Sequence, residues 1–155
     1  VAIDEIDHKL LRAITTNGEL SGHQVAREVG IPQSTVDYRL KRLRSEGVIV
    51  GAYYAVRGAS LGSISFLCLI RTRGMSALFR EGINNFCAIH PEVVVMIESI
   101  GSWDFELVID GFSAEQAMRV SESLLDIFGG GIQWIKMVPI FGYHKVSEYP
   151  FKERA

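Results

Sequence analysis

A Gly30-Ile31-Pro32 step between two short amphipathic stretches constrains this chain more than any other feature. Glycine ends the helix before it, and proline can open the next helix but not continue one, so the chain must turn sharply here. Upstream, Val25, Ala26 and Val29 form the apolar face of a helix over about Ser21–Val29. Downstream, Val36, Leu40 and Leu43 recur at helical steps, which predicts a helix from about Pro32 to Ser45, closed by Gly47. Ahead of both, Ile3, Ile6, Leu10 and Ile14 mark a first helix. Asp4 can cap it, Glu5 and Asp7 favour its positive end, and Asn17-Gly18 stops it. Two short helices joined by a glycine-containing turn form the helix-turn-helix pattern.

The net charge of −2 argues against a chain coated in basic residues, but the average hides an uneven distribution. Residues 1–47 hold seven Lys or Arg and seven Asp or Glu, and four of those cations (Arg39, Lys41, Arg42 and Arg44) fall within six residues. A compact basic stretch in a neutral segment is a better sign of nucleic acid than a high overall pI. At about 100° per residue, the face opposite Val36 carries Ser34, Tyr38, Lys41 and Ser45, flanked by Asp37 and Arg42. Short polar, aromatic and basic groups suit base edges and phosphates. A solvated face on an ordinary three-helix bundle is the alternative; the turn, the short second helix and the position of the cluster favour DNA. Gln33, at the helix start, is placed to enter a groove. Arg39 lies only about 60° from the buried stripe, which suits a structural or phosphate-directed role and not base reading.

The rest of the 155-residue chain follows a different rhythm. Val48–Val56 reads as an extended connector, with breakers at Gly51 and Arg57-Gly58. Ser63–Thr72, Val93–Ile100, Phe105–Asp110 and Ile132–Phe141 are strand-like, with Gly101–Asp104 as the turn between the second and third. Met75–His90 is helical, with Leu78, Phe79, Ile83, Phe86 and Ile89 as its apolar face. Ser113 and Gln116 form a capping box before a helix whose face is Ala117, Val120, Leu124 and Phe128, ended by Gly129-Gly130-Gly131. The order is βαββαβ, a ferredoxin-like arrangement, and Pro139 places the last strand at a sheet edge. The expected fold class is therefore α+β, in four parts: a helix-turn-helix domain at 1–50, a connector at 51–61, a βαββαβ domain at 62–141 and a tail at 142–155. The runs Phe66–Ile70 and Val93–Ile97 need cover on both sides of a sheet, which predicts a dimer through the second domain. Neither run approaches the ~20 residues of a membrane span, and Cys68 and Cys87 suit free thiols in a reducing cytoplasm. The chain opens with Val1 instead of Met, as a piece of a longer protein does.

Several motifs together resemble the Lrp/AsnC family of transcription regulators. Ile3-Asp4-Glu5-Ile6-Asp7-His8-Lys9-Leu10-Leu11 is similar to the family's opening L-D-x-x-D-x-x-I-L. Val25-Ala26-Arg27-Glu28-Val29-Gly30-Ile31 is similar to its L-A-x-x-V-G-L, and Ser34–Leu43 with Gly47-Val48-Ile49 to its recognition helix. Gly101-Ser102-Trp103-Asp104 falls where the family carries G-x-x-D. The resemblance implies a RAM-type second domain, double-stranded DNA as partner, and a homodimer assembling to a tetramer or octamer. It also implies an amino-acid-like effector at Gly101, Ser102, Trp103 and Asp104, with Asp104 holding the ammonium and Trp103 either lining or filling the pocket. The chain departs from the family at Pro32, where a Ser cap is usual, at Ser102, commonly Asp, and in a last strand without threonines.

Enzymatic signals are thin. His8, His23, His90 and His144 are scattered without a metal-ligand spacing, and the glycine triplet follows a helix instead of preceding one. No catalytic residue, metal or cofactor is expected. Proteins of similar architecture include tetrapyrrole-modifying decarboxylases, whose cavity would need cations and histidines, yet no histidine lies between Pro91 and Tyr143. A partner that binds an effector and has lost DNA binding is a third possibility, and the Arg39–Arg44 cluster argues against it.

Overall fold

The computed structural model describes residues 1–54, 56–144 and 149. They fall into two compact units, one holding residues 1–54 with 144 and 149, the other residues 56–143. The tail expected at 142–155 lies outside the described residues apart from 142–144 and 149.

In the first unit, α1 (Glu5–Thr16), α2 (Gly22–Val29) and α3 (Gln33–Ser45) enclose a core of Leu10, Ala13, Val25, Ala26 and Val36. The Asp4 side chain caps α1 by accepting from the Asp7 amide, and Asp7 returns the bond to the Asp4 amide. Ser21 and Gln24 form the same reciprocal box at the start of α2. Gly30 ends α2 in the left-handed region (φ 76°), where a side chain would be strained, and its amide donates to the Ala26 carbonyl. Gly22 lets the first turn of α2 pass close to α3, since a Cβ there would lie 3.2 Å from Asp37 Oδ1. Residues 48–54 belong to no helix or strand.

The second unit opens with a 3-10 turn (Gly58–Leu61) and continues through β1 (Ile64–Thr72), α4 (Ala77–Ile89), β2 (Val93–Glu98), β3 (Phe105–Gly111), α5 (Ala114–Phe128) and β4 (Ile132–Ile140). The antiparallel sheet has the order β2-β3-β1-β4, so β4 and its Pro139 stand at an edge. Cys68, Ile70, Phe105, Leu107, Ile109 and Ile132 face Ile83 and Phe86 of α4 and Ala117, Val120 and Leu124 of α5.

The apolar face expected for α4 needs correction at two positions. Leu78 is 82% and Ile89 76% exposed, and the inward stripe is Phe79, Ile83, Phe86 and Cys87. The Ser113 capping box is also half formed: Ser113 accepts from the Gln116 amide, but the Gln116 side chain accepts from Phe112.

On the sheet's other face, strand alternation sets two cross-strand rows. Val95, Val108, Leu67 and Val138 form one; Ile97, Glu106, Leu69 and Lys136 form the other. Both cysteines are free, and burial pushes the Cys68 thiol up to about 12 and Cys87 to about 11. Among the described residues no helix is long and apolar enough to cross a membrane.

Candidate nucleic-acid interface

Helix α3 buries only Val36 and Leu43, which leaves most of its circumference for other contacts. Gln33, Ser34, Asp37, Tyr38 and Lys41 are all exposed, Tyr38 at 69%. Ser45 shares that outer face, with its hydroxyl donating to the Arg42 carbonyl. Pro32 stands at the N-cap with no side-chain bond, so the first amides of α3 stay uncapped.

Arg39 and Arg42 turn the opposite way. Arg39 Nη1 lies 2.6 Å from Asp4 Oδ2 and 2.9 Å from Asp7 Oδ1, while Arg42 Nη2 pairs with Asp7 Oδ2. The Asp7 side chain is wholly buried between them. The Arg39 hydrogen bond, helped by the Asp7 amide, holds the Asp4 carboxyl down at about 2. Sequence reasoning places Asp7 only as an acid near a helix start and misses this pairing. The signal is present: Asp7 stands four residues after Ile3 and three before Leu10, within the apolar stripe of α1.

The turn before β3 is tied to β1. Asp104 Oδ2 accepts from the Thr72 amide (2.7 Å) and hydroxyl (2.9 Å), and Oδ1 accepts from Arg71 Nη1 at 3.1 Å. Burial pushes this carboxyl up, but the Thr72 bonds and the Arg71 charge outweigh it and leave the pKa below its ordinary value. Arg71 also donates to the Gly101 carbonyl at 2.8 Å. Trp103 donates its indole N–H to Glu106 Oε1 at 2.7 Å. Beside the turn, Leu69, Ser102, Trp103, Trp134, Ile135 and Lys136 line an open recess of about 490 Å³. Ser102 and Trp103 therefore reach the recess, whereas Asp104 is bonded within the chain.

A family model described as winged helix-turn-helix DNA-binding matches residues 3–50. In fold, the chain is similar to an AsnC family transcriptional regulator from Agrobacterium tumefaciens (TM-score 0.81, 18% identity, 94% of this chain and 95% of that one). It is equally similar to the transcriptional regulator NMB0573 of Neisseria meningitidis, solved as an L-Met complex (TM-score 0.82, 19% identity, 96% of each chain). In sequence it is 32% identical over 141 residues to the HTH-type transcriptional regulator PH1916 of Pyrococcus horikoshii, covering 88% of this chain and 91% of the relative. The chain belongs to the Lrp/AsnC family. This Lrp/AsnC protein is a DNA-binding transcriptional regulator, a reading its relatives favour over the decarboxylase alternative.

Proposed function

We propose that this regulator reads duplex DNA with the exposed face of α3, through Gln33, Ser34, Asp37 and Tyr38 at the bases and Lys41 at phosphate. Arg39 and Arg42, candidates on sequence grounds, are left out of this contact set because both are paired with α1. The observation that carries the reading is the convergence of five exposed polar, aromatic and basic side chains on one face of the second helix of the turn. Replacing Lys41 with Ala should weaken binding to every duplex and lower the slope of log affinity against log salt by about one. Replacing Tyr38 or Ser34 should change the preferred sequence instead. An unchanged affinity and slope for the Lys41 variant would remove α3 from the interface.

The active form in this reading is a dimer whose second copy covers the rows Val95–Val138 and Ile97–Lys136 of the sheet. Val95 and Ile97 are 42% and 47% exposed in the single chain, a cost that pairing two such faces removes. Further assembly to a tetramer or octamer responds to a small amino-acid zwitterion held near Gly101–Asp104. The recess beside Ser102 and Trp103 supports that site, as does the L-Met complex of the similarly folded regulator. With Asp104 bonded to Thr72 and Arg71, its part is to shape the turn. Calorimetry against the amino acids, for wild type and Trp103→Ala, tests this: no heat from the wild type leaves a regulator without an effector. The protein acts in the cytoplasm, beside the DNA it regulates, and carries out no catalysis.

A further inference from the structure

The four cations between Arg39 and Arg44 form two groups with opposite directions. Lys41 and Arg44 are exposed, and no acid among the described residues pairs with either. Arg39 and Arg42, one helical turn apart, both reach back to α1, where Asp7 lies fully buried and Asp4 half exposed. This inner group sets two guanidiniums against two carboxylates of α1, with Glu46 a further 3.8 Å from Arg42, so it carries no net positive charge. It thereby removes half of the cluster's positive charge from the DNA side.

The geometry also carries orientation. Asp7 grips side chains three residues apart on α3, so rotating α3 about its own axis would break at least one pair. With Val36 and Leu43 as the helix's only buried residues, apolar packing leaves that rotation less constrained. Arg42 Nε is buried without a hydrogen-bond partner, with Glu46 Oε2 standing 3.8 Å away. Arg42 is thus held where it is by Asp7.

We propose that Asp4 and Asp7 are positioning residues for DNA recognition: they fix the roll of α3 and keep Arg39 and Arg42 off the phosphates, so that sequence preference outweighs general attraction. The proposal rests on α3 being the DNA helix. Removing the Asp7 charge releases Arg42 from its buried partner and leaves Arg39 held by Asp4 alone. Binding to unselected sequence should then rise, and the salt slope should steepen by about 0.9 for each additional phosphate neutralised.

The test uses the full chain with two probes, a duplex selected from a random pool by the wild type and an unselected duplex of equal length. Asp7→Asn should bind the unselected duplex several-fold more tightly, with a steeper slope and a smaller ratio between the two probes. Asp4→Asn retains a good N-cap and should show a smaller steepening, through Arg39 alone. Arg42→Gln should leave the slope as it is, in contrast to Lys41→Ala. The proposal is overturned if Arg42→Gln or Arg39→Gln lowers the slope as Lys41→Ala does. It is equally overturned if Asp7→Asn, with wild-type helical content by circular dichroism, keeps the wild-type slope and probe ratio. Should Asp7→Asn fail to fold, Asp4→Asn decides by the same two readouts. A wild type insensitive to Lys41→Ala would instead sink the α3 assignment, and this proposal with it.

Discussion

The sheet unit and the helical unit hold their surfaces in place by different physics. Among the described residues, eleven buried side chains make one continuous core between the sheet and its two helices, while the helical unit's cluster holds five. The shortfall is made up by directional contacts: capping boxes on α1 and α2, and a carboxylate–guanidinium network between α1 and α3. Apolar burial is strong but non-directional, and a paired guanidinium fixes an angle. In the proposed function the sheet unit presents a broad face, for which burial suffices. The helical unit there presents one side of one helix, which demands orientation.

The contrast can be broken from either side. Phe105→Ala removes a fully buried ring from the larger core and should cost about 3–5 kcal/mol. Both tryptophans, Trp103 and Trp134, lie in the sheet unit, so urea unfolding followed by their fluorescence should register that loss directly. Asp7→Ala should cost roughly 3 kcal/mol, because it strands the partly buried Arg42 and leaves Arg39 with Asp4 alone. That loss should appear in the helical signal and leave the tryptophan midpoint in place; an equal shift in both would end the distinction. Ser21→Ala, which removes the α2 cap, should cost about 1 kcal/mol by the same helical signal. Smallest is the effect of acid on Asp4. Its folded pKa lies below its unfolded value of 3.8, so its contribution is complete above that pH and fades as pH falls towards about 2. Acid titration of Asp4→Asn should lack this component between those limits.

Where local chemistry decides the structure, the sequence is legible. Gly30 needs its left-handed backbone, Ser113 caps α5 and Pro139 sits on an edge strand, each for reasons that reside in the residue itself. What escapes depends on residues far apart in the chain. An acid in the stripe of α1 looks like a flaw until Arg39 and Arg42 arrive opposite it. Leu78 and Ile89 look like core because they are apolar, yet only the sheet determines which side of α4 is covered. The bonds that fix Asp104, to Thr72 and Arg71, come from a strand more than thirty residues earlier.

The two rims of the sheet bear on the shapes an assembly can take. At one rim Pro139 offers no N–H, and Lys136 adds a charge that an incoming strand would have to desolvate. At the other, β2 is six residues long and its register shifts between Val93 and Val95. Neither rim is a good template for adding one more strand from a neighbouring molecule. Growth by endless edge-to-edge addition, the geometry of a fibre, is thereby discouraged, whereas the proposed dimer uses the flat of the sheet, where two-fold contacts close on themselves.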